Sequence, residues 1–320
     1  SDKVRFRLGF PEKIGGWVKY SSNTFLGSCR ALHTWVTLAG TQYLGLGTNL
    51  KYYLEIGQSF SDITPIRKTS TDSITFAATD GSSTLAVTDS SNGVVVGDFV
   101  TFSGAATLGG LITATVLNQE YQVSGVTSAN VYSVVAKDTD GVAVTANSSD
   151  SGNGGSGVDG LYQINVGLDT EVGGTGWGAG TWGRSTWGSG TDISTTTELR
   201  IWSHDNFGED LLINPRDGGV YYWDASATNA FTTRAVEIST LTGASDTPTV
   251  AKQIMVADNS RHVIAFGTNT LGTTVQDSLL IRFSDQESFL DWTPKATNSA
   301  GDLRIGSGSN FVRAIETKRE

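Results

Sequence analysis

The stretch YLGLGTNLKYYLEI, residues 43–56, places one apolar run on each side of a Gly-Thr-Asn turn. Short apolar runs that are rich in aromatic residues and bounded by turn residues predict β-strands. The segment SDITP, residues 61–65, follows and ends in an Asp-x-Thr-Pro pattern. The whole stretch therefore predicts two neighbouring strands and a defined turn at each end.

The same order of features recurs later in the chain. VIAFGTN at 263–269 is followed by SLLIRFS at 278–284 and LDWTP at 290–294, and DLLINPRDGGVYYWD at 210–224 is a weaker third copy. Repeats of roughly 40–50 residues, each made of a few antiparallel strands, are typical of β-propeller blades. The alternative is two unrelated hairpins that share common turn residues. We predict an all-β fold whose parent domain is β-propeller-like.

The composition agrees with many short strands joined by tight turns. The chain of 320 residues contains 39 glycines, and only 17% of its residues are charged. Cys29 is the single cysteine, so no intrachain disulfide can form, and no cysteine or histidine spacing suits zinc. We predict no metal and no cofactor.

A change in composition near residue 68 predicts an inserted module. Between Lys68 and Asn165 the chain has two basic residues against nine acidic ones. Six runs there alternate in the manner of strands and are separated by polar turns: SITFAA, TLAVTD, GDFVTFSG, EYQVSGV, VYSVVAK and VAVTAN. The segment closes on NSSDSGNGGSG, residues 147–157, whose composition is typical of a flexible linker.

These boundaries divide the chain into three parts. Residues 1–67 form the first part of the propeller-like domain, residues 68–165 form a small acidic β-sandwich or barrel, and residues 166–320 complete the parent domain. The last part includes a Trp-Gly segment at 176–191.

Several segments in order resemble the tail nozzle proteins, also called tail tubular protein B or tail hub, of short-tailed bacteriophages. They cover most of the chain outside the acidic insert: RFRLGFPEKIGGW, residues 31–67, the Trp-Gly segment, LLINPRDGGVYYWD, RHVIAFGTN, LLIRFSDQESFLDWTP, AGDLRIGSGS and VRAIETKRE. The resemblance implies a virion structural subunit, made in the bacterial host cytoplasm. Six copies would form the distal tail tube, next to portal-side adaptor proteins and tail fibres. Family members are longer than this chain, and VRAIETKRE resembles the start of a further blade.

The same resemblance implies that viral DNA passes through the assembled tube without specific binding. Since an acidic or neutral wall repels phosphates, we expect a weakly charged lumen, with the acidic insert on the outside. The net charge of −10 also argues against clamping of nucleic acid by the whole protein. The chain opens without the charged and apolar regions of a signal peptide, and no stretch is long and apolar enough for a membrane span. We expect a soluble protein without a leader.

Three tryptophans at five-residue steps mark the segment GWGAGTWGRSTWGSGT, residues 176–191. Trp177, Trp182, Trp187 and the neighbouring Arg184 are the candidate packing or subunit-interface residues. Large rings among glycines are typical of anchors, because the small residues between them bury little surface. The rings could pack on their own domain, on a neighbouring subunit, or on a glycan, which leaves three interpretations open.

An enzyme is the remaining class, and we predict no catalytic residues. Adjacent carboxylates occur at Glu209 with Asp210 and at Asp285 with Glu287, but no spacing singles out a glycosidase pair. The three histidines, His33, His204 and His262, fall in different repeats and outside any nucleophile or HExxH context. A glycan- or receptor-binding module is the alternative to the structural subunit, and a propeller glycoside hydrolase follows after it.

Overall fold

The computed structural model describes residues 4–16, 18–152, 157–169 and 199–316. Over these residues the regular secondary structure is almost entirely β: a hairpin, one large sheet and three four-stranded sheets. One short helix, α1 at Ala114–Leu117, and two turns of 3-10 helix are the helical elements of the described part. The all-β prediction is confirmed.

An isolated hairpin begins the described chain. Strands β1 (Val4–Arg7) and β2 (Phe10–Lys13) pair only with each other. The first four-stranded sheet follows, and its strands are antiparallel in sequence order: β3 (Cys29–Val36), β4 (Gln42–Thr48), β5 (Tyr52–Ile56) and β6 (Ser59–Asp62).

An eight-stranded antiparallel sheet occupies the middle of the chain. Its strands are β7 (Ile66–Ser70), β8 (Thr75–Ala78), β9 (Thr84–Thr88), β10 (Phe99–Ser103), β11 (Glu120–Ser128), β12 (Val131–Val135), β13 (Asp150–Gly152) and β14 (Asp159–Gln163). They lie in the order β13-β8-β9-β12-β11-β10-β14-β7. Because β7 and β14 pair with each other, the chain enters and leaves this sheet at neighbouring positions.

The eight-stranded sheet curls around a single core. In a flat sheet, β8 and β10 would lie about 19 Å apart, since four spacings of about 4.8 Å separate them. Their rings nevertheless meet, with the centroids of Phe76 and Phe102 5.1 Å apart. One apolar cluster takes its side chains from six of the strands and from α1.

Two further four-stranded sheets complete the parent part. The second contains β15 (Trp202–Phe207), β16 (Asp210–Pro215), β17 (Tyr221–Trp223) and β18 (Val236–Glu237). The third contains β19 (Gln253–Val256), β20 (Val263–Phe266), β21 (Leu280–Phe283) and β22 (Gly301–Arg304). Both run antiparallel in sequence order.

The second sheet is buried between the first and the third. On β16 the odd-numbered Leu211 and Ile213 belong to the core shared with the first sheet, whereas Leu212 belongs to the core shared with the third. This alternation is the two-residue period of a strand buried on both faces. The first strands of the three sheets lie side by side, as the innermost strands of propeller blades do, so the parent part is β-propeller-like.

Two local predictions differ from the structure. The run VAVTAN, residues 142–147, makes an isolated bridge from Ala143 to Lys137 rather than a strand. The segment NSSDSGNGGSG is not wholly linker, because Asp150–Gly152 pairs with β8 as an edge strand. In both places the pairing follows the backbone partners that the fold offers rather than side-chain periodicity: the Val144 N–H donates to the Ala136 carbonyl at 2.9 Å, and Asp150–Gly152 covers the otherwise free edge of β8.

Candidate functional site

The predicted interface residues Trp177, Trp182, Arg184 and Trp187 lie outside the described residues. Their role as anchors or contacts stays a prediction. Within the described chain, three places carry unusual exposure, charge or burial: the N-terminal hairpin, the open side of the first sheet, and the junctions where sheets meet.

The hairpin exposes apolar side chains to solvent. Phe6, Leu8 and Phe10 are 71%, 92% and 76% exposed. The turn uses Leu8 and Gly9 at φ of 50° and 84°, which is the pattern of a two-residue type I′ connection. Leucine is unusual at a positive φ, where Asn and Gly are the favoured residues. A strained leucine is therefore held at the tip, fully in water.

Opposite residues in an antiparallel pair point to the same side, which gives the hairpin two different faces. One face carries Val4, Phe6 and Pro11, together with Lys13. The other face carries Phe10, Arg7 and the ion pair between Arg5 Nε and Glu12 Oε2 at 2.9 Å. Over residues 4–16 the basic residues outnumber the acidic ones by three to one.

A groove lies on the side of the first sheet that does not face the second sheet. The segment 20–26 covers the outer strands there, because Phe25 packs against Tyr53 and Phe60 and the Leu26 N–H donates to the Tyr53 hydroxyl at 3.2 Å. The inner strands stay open, and Leu32 and Val36 are 59% and 61% exposed.

The groove has a volume of about 800 Å³, which is within the usual size of a ligand pocket. One aromatic side chain, Tyr20, and one carboxylate line it on this side of the sheet. Trp35 and Tyr43 also border the groove, but their rings face the second sheet, where both contact the Trp223 ring. Glu55 belongs to the same lining and is only 6% exposed; its Oε1 accepts from the Gln58 N–H at 2.6 Å and the Tyr20 hydroxyl at 3.4 Å.

A second pocket, of about 450 Å³, lies where the first strands of the three sheets meet residues 312–316. That segment is fixed by a paired contact, in which the Ala314 N–H donates to Gln253 Oε1 and Gln253 Nε2 donates to the Ala314 carbonyl, both at 2.7 Å. Charges of both signs line the pocket: Arg30, Arg216, Lys252, Arg313, Asp205 and Glu316. In this lining four basic residues stand against two acidic ones.

Two histidines from different repeats meet between the first and second sheets. The ring centroids of His33 and His204 are 4.9 Å apart. His33 Nε2 contacts Asn206 Oδ1 at 2.6 Å, and the Tyr52 hydroxyl lies 2.8 Å from His204 Nδ1. Burial, and then the neighbouring His33, lower the pKa of His204 to about 3, although a backbone hydrogen bond at Leu32 opposes the shift. His204 is therefore neutral at physiological pH.

His262 lies apart from this pair. Asp210 and Asp285, from the two carboxylate pairs noted in the sequence, accept hydrogen bonds from nearby groups. His262 Nδ1 contacts the Ser284 carbonyl at 2.8 Å. Asp210 accepts from the Tyr222 hydroxyl at 2.6 Å and the Ala225 N–H at 2.9 Å. Asp285 accepts from the Ser299 and Gln286 N–H groups, both at 2.9 Å. Sequence reasoning could not find the His33–His204 pair, because 171 residues separate the two.

A partly buried ionic cluster joins the large sheet to the parent sheets. Lys51 Nζ contacts Asp62 Oδ2 and Glu120 Oε1, each at 2.6 Å. Arg234 Nη1 lies 2.6 Å from Asp62 Oδ1, and its Nη2 lies 3.6 Å from Glu120 Oε2. Burial alone would raise the pKa of Asp62, but Lys51 and Arg234 lower it below its usual value. The cluster balances two cations with two carboxylates.

The described ranges contain no group of three or more His, Cys, Asp or Glu side chains that could hold a metal ion. Within the same ranges no helix is long and apolar enough to cross a membrane.

Comparison with known proteins assigns no family. No family model matches the sequence, and no curated protein matches it. Among solved structures, the chain is similar to the phage phi92 endosialidase at 13% identity and a TM-score of 0.25, over 88% of this chain and 38% of that one. The chain thus spans less than two fifths of that protein, and a likeness at this level carries no argument about activity.

Proposed function

We propose that this chain is a structural subunit of the virion tail of a short-tailed bacteriophage. Further copies would assemble with it into the distal nozzle through which the genome leaves. The observation that carries this proposal is the exposed apolar hairpin, 4–13, together with the open side of the first sheet. Both surfaces suit contact with other copies better than contact with water.

The exposed side chains offer a considerable driving force. Burying an aliphatic or aromatic side chain is favourable by about 1.5–3 kcal/mol. Phe6, Leu8 and Phe10 together would contribute roughly 5–9 kcal/mol as an upper estimate. That gain is available only if another surface covers them.

The two surfaces are different from each other, which bears on symmetry. A contact between unlike patches is head-to-tail, and it closes into a ring when the rotation between copies is suitable. A ring of copies is what the resemblance to tail nozzle proteins implies. The segments that carry this resemblance supply the first sheet, two strands of the second sheet (β16 and β17) and three strands of the third (β20, β21 and β22).

Mass photometry of the purified chain, followed by negative-stain imaging, tests the proposal. We expect a closed oligomer, of six copies if the resemblance holds, in addition to free subunits. Mixing with portal-side tail proteins of the same genome should enlarge the assembly. A chain that stays monomeric at every concentration, alone and in that mixture, would overturn the proposal.

The groove on the first sheet favours one second candidate, a glycan-binding tail module. Sugar sites combine an aromatic platform with a few polar groups. The groove offers the Tyr20 ring beside Glu55 and Gln42. Oligosaccharide titration monitored by tryptophan fluorescence tests this candidate, which predicts saturable binding that Tyr20→Ala removes and that Tyr222→Ala, on the second sheet, leaves intact.

A further inference from the structure

We propose that the pocket where the first strands of the three four-stranded sheets meet residues 312–316 binds a small organic anion through Arg30 and Arg313. The anionic group is a carboxylate or a phosphate, since a guanidinium pairs with both. The site lies within one chain, so it goes beyond the proposed function and does not depend on assembly.

The lining carries a local excess of positive charge. Its four basic and two acidic residues belong to a chain whose net charge is −10. Two of the basic residues have carboxylate neighbours outside the lining: Arg30 Nη2 lies 3.6 Å from Asp169 Oδ1, and Lys252 Nζ lies 3.1 Å from Asp217 Oδ1. The lining itself therefore favours an anion over a cation.

Both acidic residues of the lining already accept hydrogen bonds from the backbone. Asp205 Oδ2 accepts from the Val256 N–H at 2.8 Å, and Glu316 Oε1 accepts from the Asp258 N–H at 3.1 Å. These carboxylates hold neighbouring elements together, and their oxygen atoms are occupied by backbone donors. The arginines of the lining are thus left to pair with a ligand.

Two arginines of the lining keep donors without a partner. Arg30 Nε is buried and makes no hydrogen bond, although the Nη2 of the same side chain donates to the Asp169 carbonyl. A buried polar group without a partner is rare in folded proteins and calls for an explanation. Arg313 is exposed and forms no ion pair within the described residues. An oxyanion in the pocket would accept hydrogen bonds from both side chains.

Arg313 is held close to the inner strands. After burial and His33, its charge is the third contribution that lowers the pKa of His204, another residue of the lining. The next residue along the chain, Ala314, is fixed to β19 by its paired contact with Gln253. The fold thus positions Arg313 at the pocket without using its guanidinium.

The rest of the lining suits the body of an organic molecule. Leu32, Val312 and Ile315 are exposed there, and Ile254 and Met255 contribute from β19. The volume of about 450 Å³ lies in the lower part of the usual range for ligand pockets. The pocket therefore takes a molecule the size of a single sugar ring.

Isothermal titration calorimetry with three matched sugars tests the site. Glucuronate carries a carboxylate, glucose 6-phosphate carries a phosphate, and glucose is the neutral control. We expect saturable binding of at least one anion with a dissociation constant of about 1 mM or below, and no binding of glucose. The anion that binds more tightly identifies the group that the arginines prefer. Failure of both anions to bind up to about 10 mM, or equal binding of glucose, would overturn the proposal.

Arg313→Gln should weaken binding of the anion by at least about tenfold, because it removes the guanidinium. Arg304→Gln, on the outer strand of the third sheet, is the matched control and should bind as the wild type does. Both arginines are exposed, so both variants should fold, which circular dichroism checks.

Leu32→Trp tests the location without a change in charge. The larger ring should fill the pocket and abolish binding, whereas Leu303→Trp, at another exposed leucine on a strand, should leave it unchanged. Affinity that survives either Arg313→Gln or Leu32→Trp, or an equal loss in the two control variants, would show that the anion binds elsewhere and would overturn the site.

Discussion

Asn49, Asn214 and Asn269 are buried at the same place in three sheets, next to the end of the second strand. Asn49 Oδ1 accepts from the Ser28 N–H at 2.7 Å, and Asn269 Oδ1 accepts from the Thr249 N–H at 2.9 Å. Asn214 Nδ2 donates to the carbonyls of Gly218 and Gly219. Each amide satisfies backbone groups that a tight, buried turn would otherwise leave unpaired. The asparagine of the Gly-Thr-Asn repeat thus hydrogen-bonds to backbone groups near the turn.

The carboxylates of the Asp-x-Thr-Pro repeats work in a similar way. Asp62 Oδ1 accepts from the Thr64 N–H at 2.9 Å, and Asp291 Oδ1 accepts from the Thr293 N–H at 3.3 Å. The residue between them, Ile63 or Trp292, is fully buried in both copies. Asp62 differs because it also belongs to the ionic cluster.

Asp62→Asn should destabilise the protein by about 1.5–3 kcal/mol, since it leaves the buried Lys51 ammonium and Arg234 to share the single carboxylate of Glu120. The Lys51 side chain is only 4% exposed, so water compensates it poorly. Urea denaturation measures the change, and Lys51→Met in the Asp62→Asn background should recover part of the loss. Asp277→Asn, which breaks the exposed pair with Arg304, is the control and should change stability little. Equal losses for the two aspartates would contradict a special contribution from the cluster around Lys51.

His204 makes the folded protein sensitive to acid. Its pKa falls from 6.5 to about 3 on folding. Between these values the imidazole binds a proton in the unfolded chain but not in the folded chain. Stability contributed by the neutral ring is therefore lost as the pH falls from about 6.5 towards 3.

By this linkage the wild type should lose on the order of 2–3 kcal/mol from His204 between pH 7 and about pH 4.5. Urea denaturation across this range compares His204→Asn with the wild type. The His204 variant should show the weaker pH dependence. Identical slopes for wild type and His204→Asn would show that His204 does not stay neutral when folded.

Among the elements, β4 requires glycine at two positions because two aromatic side chains lie directly against its backbone. A Cβ built on Gly47 would overlap the Trp202 ring, and one on Gly45 would lie 2.5 Å from the Tyr52 hydroxyl oxygen. Trp202 in turn donates its Nε1–H to the Thr48 carbonyl at 2.7 Å. The glycines of GLGTN therefore allow the second sheet to approach the first.

Gly47→Ala should destabilise the fold by about 1–3 kcal/mol through overpacking between the first two sheets. Thermal or urea unfolding measures it. Gly306→Ala is the matched control, because a Cβ there meets open space and the residue does not need a positive φ. An unchanged stability of Gly47→Ala would mean that the first two sheets can move apart without loss of stability.

The inner edge of β19 shows how neighbouring sheets satisfy each other. The Ile254 N–H donates to Ser203 Oγ at 2.9 Å, and the Val256 N–H donates to Asp205 Oδ2 at 2.8 Å. Side chains of β15 thus accept hydrogen bonds from the free edge of β19, the first strand of the third sheet. This arrangement protects an edge that would otherwise be open to pairing with another chain.

On the scale of the whole molecule, the large sheet is held to the parent by few elements. It enters through β7, leaves through the paired β14, and contributes Glu120 to the ionic cluster. Replacing residues 71–158 by a short Gly-Ser turn would keep the β7–β14 pair as a hairpin.

We expect this deletion to fold but to be less stable, because Lys51 and Arg234 would share one carboxylate instead of two. Adding Lys51→Met should recover stability in the deletion variant and reduce it in the full chain. Circular dichroism and urea unfolding measure both effects. A deletion variant without cooperative unfolding would show that the parent sheets cannot fold without the insert.

The sequence alone predicted much of this architecture. The apolar runs, the Gly-Thr-Asn turns and the Asp-x-Thr-Pro ends repeat at the positions of the first and third sheets, and PRDGG identifies the second. Five of the six runs in the acidic segment are strands, because alternation and turn residues act over short distances. Backbone pairing without side-chain periodicity, as in β13, left no such signal.

Long-range packing decided the rest. The His33–His204 pair, the cluster that joins Lys51 to Glu120, and the exposure of the hairpin all depend on which faces of distant strands meet. Local sequence sets the period of a strand, and so it determined what kind of fold this chain has. The free energy of covering each face is gained only in the assembled sheets. The tertiary structure alone therefore decided which charges became partners and which apolar side chains stayed exposed.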